Sequence, residues 1–205
     1  MNLQEKNNAW LYRILHLIMV LGPMLCFSQS VWKSPTYQKR KYRKVMVVAK
    51  TSDGLAQRQL EDATVQQLKE NGISAIPAYA HIKKTDYALE ETLRKKVDEL
   101  EVDALLAYTF DHPKSAYKSS PSVDARVGVP VKMGIFRGFL GTSVPLAGET
   151  KNVDKISGKA TWYTCTSDEM QWSQSLSGKL NKDTQKLAED FAQKTIKSMV
   201  KHNLF

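Results

Sequence analysis

At 205 residues, 42% hydrophobic and 9% aromatic, the chain is long enough for one well-filled core and too apolar for wholesale disorder. Its two cysteines exclude a scaffold built on disulfides, and the formal charge is +9, part of it concentrated in one local run.

The first thirty residues read as a secretory leader. Lys6 and Arg13 put positive charge ahead of Ile14–Phe27, an apolar run that is short for a membrane span of about 20 residues. Ser28 and Ser30 place small residues at −3 and −1 of a cut before Val31. Two alternatives stand beside that cut: an uncleaved anchor, and lipidation of Cys26, whose predecessors Met24 and Leu25 are larger than a lipobox prefers. Removal of residues 1–30 leaves a net charge of +8 and Cys165 as the single thiol, with no base beside it in sequence.

Residues 31–43 carry Pro35 and the dense run Lys39, Arg40, Lys41, Arg43 (with Lys44 following). The expectation is an exposed basic tether. Its bland role is a solvated linker, and its sharper one a patch for acidic lipid headgroups or nucleic acid, aided by Trp32, Tyr37 and Tyr42.

The domain proper, 44–205, is organised on Lys44–Tyr79. Val45–Ala49 is an unbroken, largely β-branched run that suits a strand buried on both faces. Thr51, Ser52 and Asp53 offer helix caps, and Leu60, Thr64 and Leu68 form an apolar stripe ending at Asn71-Gly72. Glu61, Gln66, Gln67 and Lys69 are expected on the wet side. Ile73–Tyr79 reads as a second strand, and Pro77 sends it to a sheet edge or bulge. A helix over about 86–100 (Leu89, Leu93, Val97, Leu100) and a strand over Val102–Phe110 complete a β-α-β-α-β order.

Residues 111–152 hold four prolines and five glycines and give the least pattern; Gly128–Leu140 reads as a bulged strand, a loop over the sheet, or an exposed contact patch. Ile156–Ser177 alternates as an antiparallel hairpin anchored by Trp162 and Trp172. Asn181 or Asp183 caps a final helix striped by Leu187, Phe191, Thr195, Ile196 and Met199. The expected fold is thus α/β: a mixed sheet continued by a hairpin, with a C-terminal amphipathic helix packed on it.

Chemistry is sparse. Open α/β sheets take ligands beyond the carboxyl ends of their parallel strands. Asp53, His81, Asp111 and His112 fall there as candidates for a metal or an acid–base pair, each with an ordinary cap or turn role as the alternative. The first turn, KTSDGLAQ, lacks both GxGxxG and GxxxxGK[ST], so no phosphate cradle is written there, and no GxSxG elbow occurs. Neither a cofactor nor a small-molecule substrate is indicated.

The run KVMVVAKTSDGLAQRQLEDATVQQLKENGISAIPAY, followed by VDALLAY, ATWYTCTSDEMQWSQS and the closing helix, resembles a group of bacterial secreted and lipoprotein-like envelope proteins. Its build is similar to the N-terminal domain of TolB and the core of the curli-secretion lipoprotein. The resemblance implies a non-enzymatic periplasmic or envelope-associated protein that works through protein contacts, with the membrane surface as the other expected contact. Nucleic acid is not expected, since that reading rests on charge only and an exported protein rarely meets that partner. A small periplasmic hydrolase or metal-binding protein is the alternative.

Overall fold

The computed structural model describes residues 30–83, 85–86, 90–111, 155–166, 169–179 and 183–205. The leader with Cys26 and Ser28, the Gly128–Leu140 run and His112 lie outside the described residues.

Six strands form one mixed sheet in the order β1-β6-β5-β4-β2-β3. They are β1 Val31–Lys33, β2 Val45–Lys50, β3 Ala75–Pro77, β4 Ala104–Phe110, β5 Lys155–Thr164 and β6 Glu169–Lys179. Helix α1 is Gly54–Glu70, α2 Glu90–Glu99 and α3 Thr184–Lys201. β2 runs parallel to both β3 and β4. From β2 the chain steps outward to β3, then back across β2 to β4. Right-handed crossovers in opposite directions put their helices on opposite faces. Accordingly α1 joins Val45, Val47, Leu106 and Tyr108 in one core, while Leu93 and Val97 of α2 join Met46, Val48 and Leu105 in the other.

β5 and β6 continue the sheet antiparallel from β4, as the alternating hairpin pattern predicts. Trp162 pairs directly with Trp172, and both are fully buried, as expected of the hairpin's anchors. A bulge between Trp162 and Tyr163 leaves Gln171 without an opposite number and sets Met170 against Tyr163. Helix α3, capped by Asp183, packs its predicted stripe on the α1 side of the sheet. Gly178 allows that approach, since a Cβ there would stand 2.6 Å from Leu187 Cδ1.

Three expectations need correction. Residues 31–43 are not a free tether. Val31–Lys33 pair antiparallel with Trp172–Gln174, and the following segment crosses the lower end of the sheet as a strap. Its aromatics are the reason: Tyr42 is buried edge-on against Trp162 with ring centroids 5.0 Å apart, and the Tyr37 hydroxyl donates to Leu204 O. The strap's cations also have structural work. All three helices end at this pole, where unpaired carbonyls carry partial negative charge. Lys44 Nζ donates to Leu100 O at 2.6 Å beyond α2, and Lys33 Nζ to His202 O at 2.6 Å beyond α3.

The second strand is shorter than its apolar run. After Pro77, which does sit on an edge strand, Ala78–Ala80 turn into a 3-10 helix. Finally, Glu61 is not on the wet side: it is fully buried.

Candidate functional site

Reversal of direction at β2 creates a switch point between the carboxyl ends of β2 and β4, where open α/β sheets take ligands. Lys50 and Thr51 close one side, and Thr109, Phe110 and Asp111 the other. Asp53 begins α1 above them. Its Oδ1 accepts the N–H groups of Leu55 at 2.9 Å and Ala56 at 3.2 Å, while its own N–H donates to Thr51 Oγ1 at 3.2 Å. This is an N-cap in full use. Burial pulls the Lys50 amine below its ordinary range.

The other sequence candidates stand apart. His81 is exposed and ends the 3-10 turn, its N–H donating to Ala78 O at 3.0 Å. Asp111 is exposed, its N–H donating to Ser157 O at 2.9 Å. Among the described residues no group of three or more His, Cys, Asp and Glu is placed to hold a metal ion, so Asp53, His81 and Asp111 do not converge. Cys165 is half-buried in the turn after β5.

The group that pattern reading missed is Glu61. Its Oε1 accepts Ala49 N–H at 2.9 Å and Gln57 Nε2 at 3.0 Å, and its Oε2 accepts Tyr79 N–H at 2.8 Å. β3 pairs with β2 only as far as Val47, so the next outward amide on β2, that of Ala49, has lost its strand partner. The carboxylate replaces the missing carbonyl and ties α1, β2 and the 3-10 turn together. Burial pushes its pKa up to about 7, against the pull of its N–H donors. A carboxyl poised there has the acid strength for proton transfer at neutral pH. Zero exposure and occupied oxygens leave it no face toward a substrate. The signal was present in sequence: Thr64, Val65 and Leu68 follow Glu61 at i+3, i+4 and i+7, so it shares their side of the helix.

Above it, the Tyr79 hydroxyl donates to Asp62 at 2.9 and 3.0 Å, and the Arg58 guanidinium lies 5.5 Å over the Tyr79 ring. The Asp62 hydrogen bond raises the phenol's pKa. Between α1 and α3, Ala56, Leu60, Leu187 and Phe191 line an apolar cleft of about 10 Å³, room for a single water molecule. Among the described residues no helix is long and apolar enough to cross a membrane.

The sequence matches no protein-family model and no curated protein, so the likeness to TolB and the curli-secretion lipoprotein rests on pattern alone. Among solved structures, the chain is similar to the PelC dodecamer from Paraburkholderia phytofirmans in two crystal forms. The first has 10% identity and a TM-score of 0.45 over 82% of this chain and 96% of that one. The second has 11% identity and a TM-score of 0.42 over 82% and 94%. Lipoprotein GNA1162 from Neisseria meningitidis is similar at 16% identity and a TM-score of 0.39, over 79% of this chain and 99% of that one. Likenesses of this order assign neither activity nor partner.

Proposed function

We propose that this chain is an exported cell-envelope protein that acts through contacts with other proteins or with the membrane surface, and that it catalyses no reaction of its own. One observation carries the reading. At the strand ends, where an α/β sheet of this topology would hold a ligand, the best-placed carboxylates are taken up by the backbone: Asp53 caps α1 and Glu61 replaces a missing β-ladder acceptor. His81 ends the 3-10 turn after β3 and Asp111 directly follows β4, and among the described residues neither joins a group placed to hold a metal ion. Export itself rests on the leader pattern of Lys6, Arg13, Ile14–Phe27, Ser28 and Ser30.

The test is the intact mass and fractionation of the protein made in a bacterial host with its own N-terminus. A mass matching Val31–Phe205 in the periplasm is expected. A mass starting at Cys26 with acyl chains would move the protein to a membrane and keep the reading. An uncut chain in the cytoplasm would end it. Turnover of an esterase, phosphatase or peptidase substrate, abolished by His81→Ala or Asp111→Ala, would favour the enzyme alternative instead.

A further inference from the structure

The strap carries more positive charge than the fold uses. Residues 31–44 contain six basic side chains and no acidic one. Lys33 and Lys44 answer the carbonyl ends of α3 and α2, and Arg43 pairs with Asp103 at 3.8 Å. Lys39, Arg40 and Lys41 are left. All three are exposed, and no acidic side chain among the described residues pairs with them. Arg40 reaches Thr166 Oγ1 at 3.3 Å and lies 5.4 Å over the Tyr42 ring, which holds it outward from a buried base.

This crest is held at both ends by hydrogen bonds. On one side the Tyr37 hydroxyl is fixed to Leu204 O; on the other, Asp103 accepts the N–H groups of Arg43 at 2.9 Å and Lys44 at 3.1 Å. Tyr42, between them, is buried on Trp162. The nearby helix ends would weaken a cationic field, but Lys33 and Lys44 already offset two of them. Three consecutive cations therefore stand on an arch held at both ends, with no acidic side chain among the described residues paired to them.

We infer that Lys39, Arg40 and Lys41 form a docking crest for a membrane surface rich in anionic phospholipid headgroups. The inference rests on the envelope reading above and names its surface. Nucleic acid is the other polyanion with matching charge, and the aromatics decide against it. Single-strand binding needs rings free for base stacking, whereas Tyr42 is inside the core and Tyr37 is half-buried under Lys33, whose Nζ lies 4.7 Å from its ring centroid. Headgroups require only reachable charge. The chemistry also suits what precedes the crest. A single acyl chain or short apolar segment gives marginal membrane attachment, and a basic cluster is the usual second contribution. Lys39 follows Phe27 by twelve residues, a reach of about 40 Å at most. The crest stays with the mature chain whether the leader is cut before Val31, kept, or replaced by lipid on Cys26.

The experiment is co-sedimentation of the full protein, as its bacterial host releases it, with phosphatidylcholine vesicles containing or lacking 30% phosphatidylglycerol (about 0.05 and 0.5 M salt). Binding to the anionic vesicles should exceed that to the neutral ones at low salt. The triple reversal Lys39→Glu, Arg40→Glu, Lys41→Glu should remove that excess, on the order of a hundredfold in partition. The milder pair Lys39→Gln, Lys41→Gln should give an intermediate loss with an unchanged melting temperature, which guards against a folding defect in the triple variant. Equal binding to both vesicles, no binding to either, or an excess untouched by the reversals would overturn the crest. So would equal affinity for a short DNA duplex, which would mark general polyanion attraction. None of these touches the envelope reading, which fails separately if fractionation finds the protein in the cytoplasm.

Discussion

Glu61 Oε1 stands 2.9 Å from the amide nitrogen of Ala49, a helix side chain completing the edge of a strand. The carboxyl sits fully buried with its pKa pushed up to about 7 by burial, above an unfolded value near 4.5. Between those values the folded state binds more protons at this group than the unfolded one, so its contribution to stability is full below about pH 4.5, falls as pH rises toward 7, and is gone above. The loss attributable to this group is up to about 3 kcal/mol. Glu61→Gln should flatten that slope, seen in denaturant unfolding of both proteins across pH 4.5–8. At pH 5 the variant should be the less stable by roughly 1–3 kcal/mol, because its amide turns a donor toward the Tyr79 N–H where a protonated carboxyl still offers an oxygen. A parallel pH profile in the two proteins would sink the assignment.

The strap makes a second expectation. Removing residues 31–41 strips β1 from the edge of β6 and takes away Tyr37, whose hydroxyl holds the C-terminal Leu204 carbonyl. A freed β6 edge also offers unpaired backbone groups to other chains. The shortened protein should lose about 2–3 kcal/mol in urea unfolding and self-associate in sedimentation, since it gives up the half-buried Trp32 and Tyr37 rings together with the β1 ladder. An unchanged urea midpoint would restore the solvated linker that the basic composition suggests.

Asp103 anchors the strap's far end through the N–H groups of Arg43 and Lys44 as well as the Arg43 side chain. The ion pair is largely solvated, with the arginine side chain 81% exposed, so it contributes little. The two backbone bonds matter more. Asp103→Asn should cost up to about 1 kcal/mol, because its oxygen keeps one of the two N–H groups while its NH2 faces the other at a partly exposed site where water can intervene, and Asp103→Ala should cost about 1–2 kcal/mol. Thermal unfolding of both variants at low and high salt separates the two contributions; a strong salt dependence would reverse their order.

Much of this fold was legible because its signals are local and periodic. The β-branched run at Val45, the Asp53 cap, the Pro77 edge and the Trp162–Trp172 hairpin each follow from a few neighbouring residues. The strap was illegible because its fate is decided at a distance: Tyr37 meets Leu204 and Tyr42 meets Trp162, partners more than a hundred residues away. Local charge density then favoured a solvated segment, and the helix ends awaiting those cations cannot be seen in a linear pattern. Glu61 failed for another reason. Polarity assigned it outward although its position on the helix lay with Thr64, Val65 and Leu68, and only the early end of β3 explains why a carboxylate is wanted there. Among the strand-end candidates Asp53 is a cap and His81 ends a turn, each set by its near neighbours, but the distances between such positions are set by tertiary structure.

Two glycines should respond oppositely to the same substitution. At Gly178, within β6, an added Cβ would meet Leu187 Cδ1 at 2.6 Å and Phe191 Cε1 at 2.9 Å, so α3 must retreat or its side chains change rotamer. Gly178→Ala should therefore cost about 1–3 kcal/mol. Gly54 opens α1, and there an added Cβ would have no atom within 4 Å and no left-handed backbone to preserve. Gly54→Ala should stabilise by roughly 0.4–1 kcal/mol, chiefly by restricting the unfolded chain. Urea midpoints of the two variants against the parent make the comparison. If Gly178→Ala proved neutral, α3 would be seated less tightly on β6 than its contacts with Leu187 and Phe191 require.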